Sequence, residues 1–140
     1  MFLIDTDVIS ELRRGAKANG GVQNFFASAE QNEHALYLST ITVGELRRGV
    51  ELIRHRKDVR QANRLEKWLE GVLSEFEEHI LEFGYEDAQV WGRLRVPHPE
   101  NALDKQIAAI ALTYGLKLVT RNTQHFEKLG VEVINPFDFD

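Results

Sequence analysis

The 140-residue chain contains no cysteine, which excludes disulfides and thiol catalysis and makes a reducing cytoplasm its natural compartment. It lacks any apolar stretch near the roughly 18 to 20 residues that a membrane-spanning helix requires. No charged leader, apolar segment and cleavage site precede the first apolar run, so neither a membrane nor a secretory role is expected. Prolines number only three, and no repeat, low-complexity tract or linker interrupts the chain. One domain over residues 1–140 is therefore expected.

Positive charge is also scarce. With 17 Lys and Arg against 22 Asp and Glu, the formal net charge is -5, which argues against nonspecific coating of nucleic acid. The cations are unevenly spread: Arg47, Arg48, Arg54, Arg56, Lys57, Arg60 and Arg64 share one stretch, and acids from Glu66 to Asp87 follow it. Two solvated helix faces of opposite bias would explain this pattern, and so would a surface that faces a polyanion.

Short apolar segments near 2–5, 35–39, 79–83, 116–120 and 131–134 predict strands. Between them, Leu46, Val50 and Ile53, then Leu65, Leu69, Val72 and Phe76, then Ala88, Trp91 and Leu94 recur at helical spacing. The run from Ile107 to Leu112 predicts a helix pressed against a sheet and ended by Gly115. Pro97 and Pro99 mark the break before it, and Asn135 and Pro136 close the last strand. Alternating strands and helices imply an α/β fold with a mainly parallel sheet.

The first strand runs from Phe2, Leu3 and Ile4 into Asp5. The carboxyl edge of such a sheet, where strand order reverses, is where ligands bind. Glu45 and Asp104 each stand beside a predicted helix start and are candidate partners for Asp5. Each acid also has a purely structural explanation. Thr42 to Glu45 fits a capping box, Asn101 to Asp104 resembles a capped helix start, and Asp5 or Thr6 could cap the helix that follows. If the three converge, carboxylates about 4 Å apart repel by roughly 4 kcal/mol per pair at an effective dielectric near 20. A protonation shift, an arginine or lysine, or a hard cation must then compensate. An all-oxygen donor set favours Mg²⁺ or Mn²⁺ over zinc, with a phosphate-bearing substrate completing the site.

Four segments carry a resemblance: Leu3 to Leu12, Leu38 to Leu46, Asp104 to Ala109, and Leu118 to Asn122, followed by Val133 to Phe137. In this order and spacing the chain resembles PIN-domain ribonucleases, specifically the VapC toxins of type II toxin-antitoxin modules and their FitB-like relatives. The resemblance covers essentially the whole chain. It implies a three-layer sandwich with a mainly parallel five-stranded sheet flanked by helices, and an Mg²⁺-dependent endoribonuclease that uses metal-activated water. Asp5 and Asp104 would be metal ligands, with Glu45 a ligand through water or the residue that orients the nucleophile. It also implies a small antitoxin that blocks the acidic site, a homodimer, and a larger assembly that binds promoter DNA through the antitoxin.

This chain departs from the family pattern at three positions. Asn122 stands where many relatives carry a fourth acid, His125 stands where an aspartate is common, and Asp7 replaces an asparagine. Asn122 keeps a carbonyl oxygen in the catalytic set, His125 is a proton-transfer candidate or a solvated capping residue, and Asp7 is expected around the site rather than in it. Thr6, Thr120 and Arg121 are further candidates to hold substrate or orient ligands, and Arg13, Arg14, Arg47 and Arg48 are candidate RNA contacts. Trp68 and Trp91 are read as packing residues rather than base-stacking platforms. Two other functions fit parts of the pattern: an RNA-binding or regulatory module with weak or no catalysis, and a haloacid dehalogenase-type phosphatase with Asp5 as nucleophile.

Overall fold

A computed structural model describes residues 1–138. In chain order the elements are β1 (Phe2–Ile4), α1 (Thr6–Glu11), α2 (Gly20–Gln31), β2 (Leu36–Ser39), α3 (Thr40–His55), α4 (Val59–Glu75), β3 (Ile80–Leu81), α5 (Tyr85–Leu94), α6 (Ala102–Tyr114), β4 (Lys117–Val119), α7 (Thr123–Phe126) and β5 (Val133–Ile134). Short 3-10 turns cover Leu12–Lys17, Glu127–Leu129 and Pro136–Asp138. All five expected strands are present, each shorter than its apolar segment.

The strands form one sheet of order β3-β2-β1-β4-β5, parallel at every pairing. Successive strand residues point to opposite faces, and β1 shows the result. Ile4 enters a core with Val8, Phe25, Leu46 and Leu69, whereas Leu3 enters a second core with Ile107, Ile110 and Phe126. In β4, Leu118 and Val119 divide in the same way. The central strands are thus covered on both faces, giving helix, sheet and helix layers.

The buried side of α6 is Ile107 to Ala111. Small alanines there let the helix approach the sheet closely. Gly115 ends it with φ 67, and its N–H returns to the carbonyls of Ala111 and Leu112, as a left-handed cap does. On the other face α3 and α4 pack together, with Leu46, Val50, Leu69 and Val72 buried between them and the sheet. A clasp of charges ties their outer sides: Arg47 bonds Glu66 at 2.6 Å, and Arg54 reaches Glu51 at 2.6 Å and Glu66 at 3.4 Å. Those two arginines of the basic stretch are therefore committed to neighbouring helices.

Three local expectations differ from the structure. Helix α3 begins before Thr42, and Ser39 is its cap, accepting from Thr42 N at 3.1 Å, so Glu45 falls in the second turn and closes no capping box. Asn101 precedes α6 in a left-handed conformation, φ 57, and its side chain makes no capping bond. In α5 the buried position is Asp87, not Ala88. Its carboxylate accepts from Gly84 N at 2.7 Å and from the Thr113 hydroxyl, which makes burial of the acid tolerable. Trp91 packs as expected and donates Nε1–H to the Ala102 carbonyl at 3.0 Å. Among the described residues no helix is long and apolar enough to cross a membrane.

Candidate active site

Strand order reverses between β1 and β4, because β2 lies on one side of β1 and β4 on the other. The carboxyl ends of these two strands deliver Asp5 and Thr120 to the same place. Asp5 N donates to the Val119 carbonyl at 2.9 Å, which continues the ladder by one residue and fixes the aspartate beside β4. Its side chain is then held twice: Oδ1 accepts from Thr6 N at 2.8 Å, capping α1, and Oδ2 accepts from Thr120 Oγ1 at 2.7 Å. The capping role foreseen for Asp5 is real, and it leaves the carboxylate aimed into the site.

Asp5 is 4% exposed. Burial, first, and then the charge on Asp7 push its pKa up to about 7, with Asp104 adding to the rise and the Thr120 and Thr6 bonds opposing it. Asp7 is displaced in the same direction, chiefly by burial and also by Asp104, against the lowering effect of the Arg121 N–H and guanidinium. Its Oδ2 accepts from Arg121 N at 3.0 Å, whereas Oδ1 is buried and unpartnered among the described residues. Electrostatically, Asp7 is thus a closer neighbour of Asp5 than the residue pattern suggested.

Glu45 enters from α3 and is oriented by α1. Thr6 Oγ1 donates to Glu45 Oε1 at 2.6 Å and lies 3.1 Å from Thr42 Oγ1. Asp104, in the first turn of α6, is engaged from α7, with His125 Nδ1 standing 2.6 Å from its Oδ2. That contact was invisible in a chain where the two residues are 21 positions apart. Asn122 N donates to Thr120 Oγ1 at 3.1 Å; its side chain is exposed and makes no hydrogen bond among the described residues. The Arg121 guanidinium lies 4.5 Å over the Phe137 ring, so Phe137 is a supporting residue that sequence reasoning missed.

Lys105 was also missed. It is buried beside Asp104, but its ammonium bonds the His98 carbonyl, so it steadies the loop before α6 instead of pairing with the acids. Among the described residues no lysine or arginine forms an ion pair with Asp5, Asp7, Glu45 or Asp104. Arg121 relieves Asp7 without pairing with it, and for Asp5 protonation or a cation remains. Nor do three His, Cys, Asp or Glu side chains gather closely enough, among the described residues, to hold an ion by themselves. The donors suit a hard cation in an open arrangement, because Mg²⁺ takes one or two carboxylates and completes its shell with water and substrate phosphate. Asp7 Oδ1 fits this chemistry: it is buried with no well-formed hydrogen bond among the described residues, has only the neighbouring Val8 N–H to favour its charge, and so calls for positive charge.

The chain matches the family described as PIN domain over residues 2–132. It is 39% identical over 145 residues to the plasmid stability protein StbB of Pseudomonas syringae, with 99% of each chain covered. It is 36% identical over 143 residues to the toxin FitB of Neisseria gonorrhoeae, covering 98% of this chain and 99% of the relative. It is 33% identical over 145 residues to the VapC ribonuclease Y4jK of Sinorhizobium fredii, with 99% of each covered. The crystal structure of FitAcB from Neisseria gonorrhoeae superposes with a TM-score of 0.85 at 35% identity, covering 99% of this chain and 100% of that one. Matches of this extent displace the dehalogenase-type phosphatase reading.

Proposed function

This chain belongs to the PIN-domain family, and from that premise we propose that it is an Mg²⁺-dependent endoribonuclease acting as the toxin of a toxin-antitoxin module. The observation that carries the reading is Asp5, a buried carboxylate held by two hydrogen bonds at the strand-order switch with Asp7 and Asp104 close enough to raise its pKa. Asp5 and Asp104 would hold the cation, with Glu45 a ligand through water or the residue that orients the attacking water. When bound, Mg²⁺ or Mn²⁺ supplies Lewis acidity, lowers the pKa of water and neutralises charge on the phosphate.

The chain's own residues do the positioning. Thr120 and the Thr6 N–H fix both oxygens of Asp5, and Thr6 in turn orients Glu45, so one short segment aligns two carboxylates. Arg121, laid on Phe137, offers a pre-set guanidinium to an RNA phosphate. His125 holds Asp104 in one orientation.

A module that binds RNA with weak catalysis is the second reading. Asn122 favours it, because an exposed amide stands where the family pattern has a fourth acid. Relatives point to the assembly: FitB is named a toxin, and a solved FitAB complex is bound to a DNA fragment. We extend this to a small antitoxin that blocks the acidic site, a homodimer, and DNA binding through the antitoxin. The deciding experiment is cleavage of an end-labelled RNA by wild type and Asp5→Asn, in Mg²⁺ and in EDTA. Cleavage confined to wild type with Mg²⁺ is expected; equal cleavage by both proteins would remove the assignment.

A further inference from the structure

Trp68 stands where two clefts of different chemistry meet. On one side is a groove of about 440 Å³ that includes Ile9, Leu12, Phe26 and Val72 together with the acids Glu30 and Glu75. On the other is a cleft of about 370 Å³ lined by Arg13, Arg14, Gln61, Arg64, Leu65 and Trp68. A further space of about 60 Å³ shares Arg13, Leu65 and Trp68 with that cleft and is also lined by Ser10 and Glu45. The basic cleft thus adjoins a residue of the candidate active site.

Helix geometry explains the lining. Gln61, Arg64, Leu65 and Trp68 recur at three- and four-residue spacing on α4, so they share one face. Arg13 and Arg14 come from the 3-10 turn that directly follows α1, the helix capped by Asp5. Arg13 and Arg64 make no ion pair among the described residues, and Arg14 has only an exposed pair with Glu11 at 3.0 Å. Arg47 and Arg54, by contrast, are both taken up by Glu51 and Glu66. In a chain of net charge -5, the guanidiniums left without a carboxylate partner include two that line this cleft.

We infer that the cleft is a nucleotide subsite for the RNA strand beside the cleavage position, with Arg13 and Arg64 on backbone phosphates and the Trp68 ring stacking one base. The inference rests on RNA being the substrate of the adjoining site. Guanidinium groups grip phosphate in bidentate fashion and are weakly hydrated. A positively charged groove with an aromatic platform is also how single-stranded nucleic acid is held. The neighbouring groove carries Glu30 and Glu75 and does not suit a polyanion; the basic cleft does. Trp68 serves both sides: it is half-buried, packs against the core and also lines the basic cleft.

The test is binding of a single-stranded RNA dodecamer to the full chain in EDTA, read by intrinsic fluorescence and by salt titration. Wild type should show a quench that is missing in Trp68→Leu, and this variant should bind about tenfold more weakly, as loss of one stacked base predicts. In Arg13→Gln/Arg64→Gln the slope of log K against log salt should fall by about 1.4, near 0.7 for each lost single-strand phosphate contact. Melting curves identify any variant that has failed to fold, and the doubly substituted protein keeps the tryptophan. An absent quench, an unchanged slope, or a Trp68 quench by an amphipathic peptide but not by RNA overturns the inference. Failure of the nuclease reading looks different. RNA that quenches Trp68 but is never cut with Mg²⁺ supports the subsite and removes the nuclease. Mg²⁺-dependent cutting with an unchanged KM in Arg13→Gln/Arg64→Gln removes the subsite alone.

Discussion

The hydroxyl of Thr120 and the carboxylate of Asp5 lie 2.7 Å apart although 115 positions separate them in the chain. The bond joins the ends of β1 and β4 and fixes an acid whose neighbours are themselves acidic. Its Oγ1 also accepts from Asn122 N, so one hydroxyl organises the turn that follows β4 as well as Asp5.

Replacing either proposed ligand should separate activity from stability. Asp5→Asn or Asp104→Asn should lower Mg²⁺-dependent RNA cleavage by about two to three orders of magnitude, the size of a lost transition-state charge contact. Removing like-charge repulsion should leave the metal-free melting temperature at pH 7.5 equal or higher. Full cleavage by either purified variant would contradict the ligand assignment.

The pH dependence of stability follows from Asp5, whose folded pKa of about 7 exceeds an unfolded value near 3.9. Below about pH 4 both states hold the proton, and the group contributes nothing. Between about 4 and 7 the native state retains a proton that the unfolded state releases, so stability falls as pH rises. Above 7 the loss is complete, at roughly 4 kcal/mol before relaxation. Melting temperatures in EDTA should therefore fall less steeply across this window for Asp5→Asn than for wild type. Parallel profiles would refute the raised pKa of Asp5.

Thr6 links two parts of the site and can be tested by shape-conserving substitution. Thr6→Val removes the donor to Glu45 and should cost about 1 to 2 kcal/mol of stability, together with a fall in kcat. Thr6→Ser, which keeps the hydroxyl, should recover most of both. Urea denaturation and steady-state cleavage are the measurements, and a Ser variant as impaired as Val would show that the methyl matters instead.

Asn122→Asp should tighten Mg²⁺ binding, because it adds an anionic neighbour while leaving the backbone bond to Thr120 intact. Titration calorimetry in the absence of RNA reads this directly. Unchanged affinity and unchanged cleavage would place the side chain outside the working shell.

Much of the fold was legible because burial on two faces leaves a plain signature. Phe2 to Ile4 and Leu118 to Val119 are continuous apolar runs, and Ile107 to Ala111 is apolar with small residues. Phase errors arose where a polar residue is satisfied internally. Asp87 looks like a surface residue until Gly84 N and Thr113 are seen to bond it. Ser39 reads as strand and ends β2, but its second role as the cap of α3 was not legible. Asp5 was recognisable by its position after a strand. The bond from Arg121 N to Asp7, the Asp104–His125 contact and the Arg121–Phe137 stack depend on tertiary placement, and no local spacing encodes them. The basic stretch was visible as composition only; ion pairing to Glu51 and Glu66 decides which of its arginines are free.

The strand order β3-β2-β1-β4-β5 also sets when the site can exist. Asp5 is made well before its partner strand β4, which ends at Val119, and its bonding partner Thr120. A nascent or truncated chain that stops before β4 already holds Glu45 through Thr6 but carries Asp5 and Asp7 without the segment that seats them. The constellation closes only when the C-terminal third has docked against the first strand.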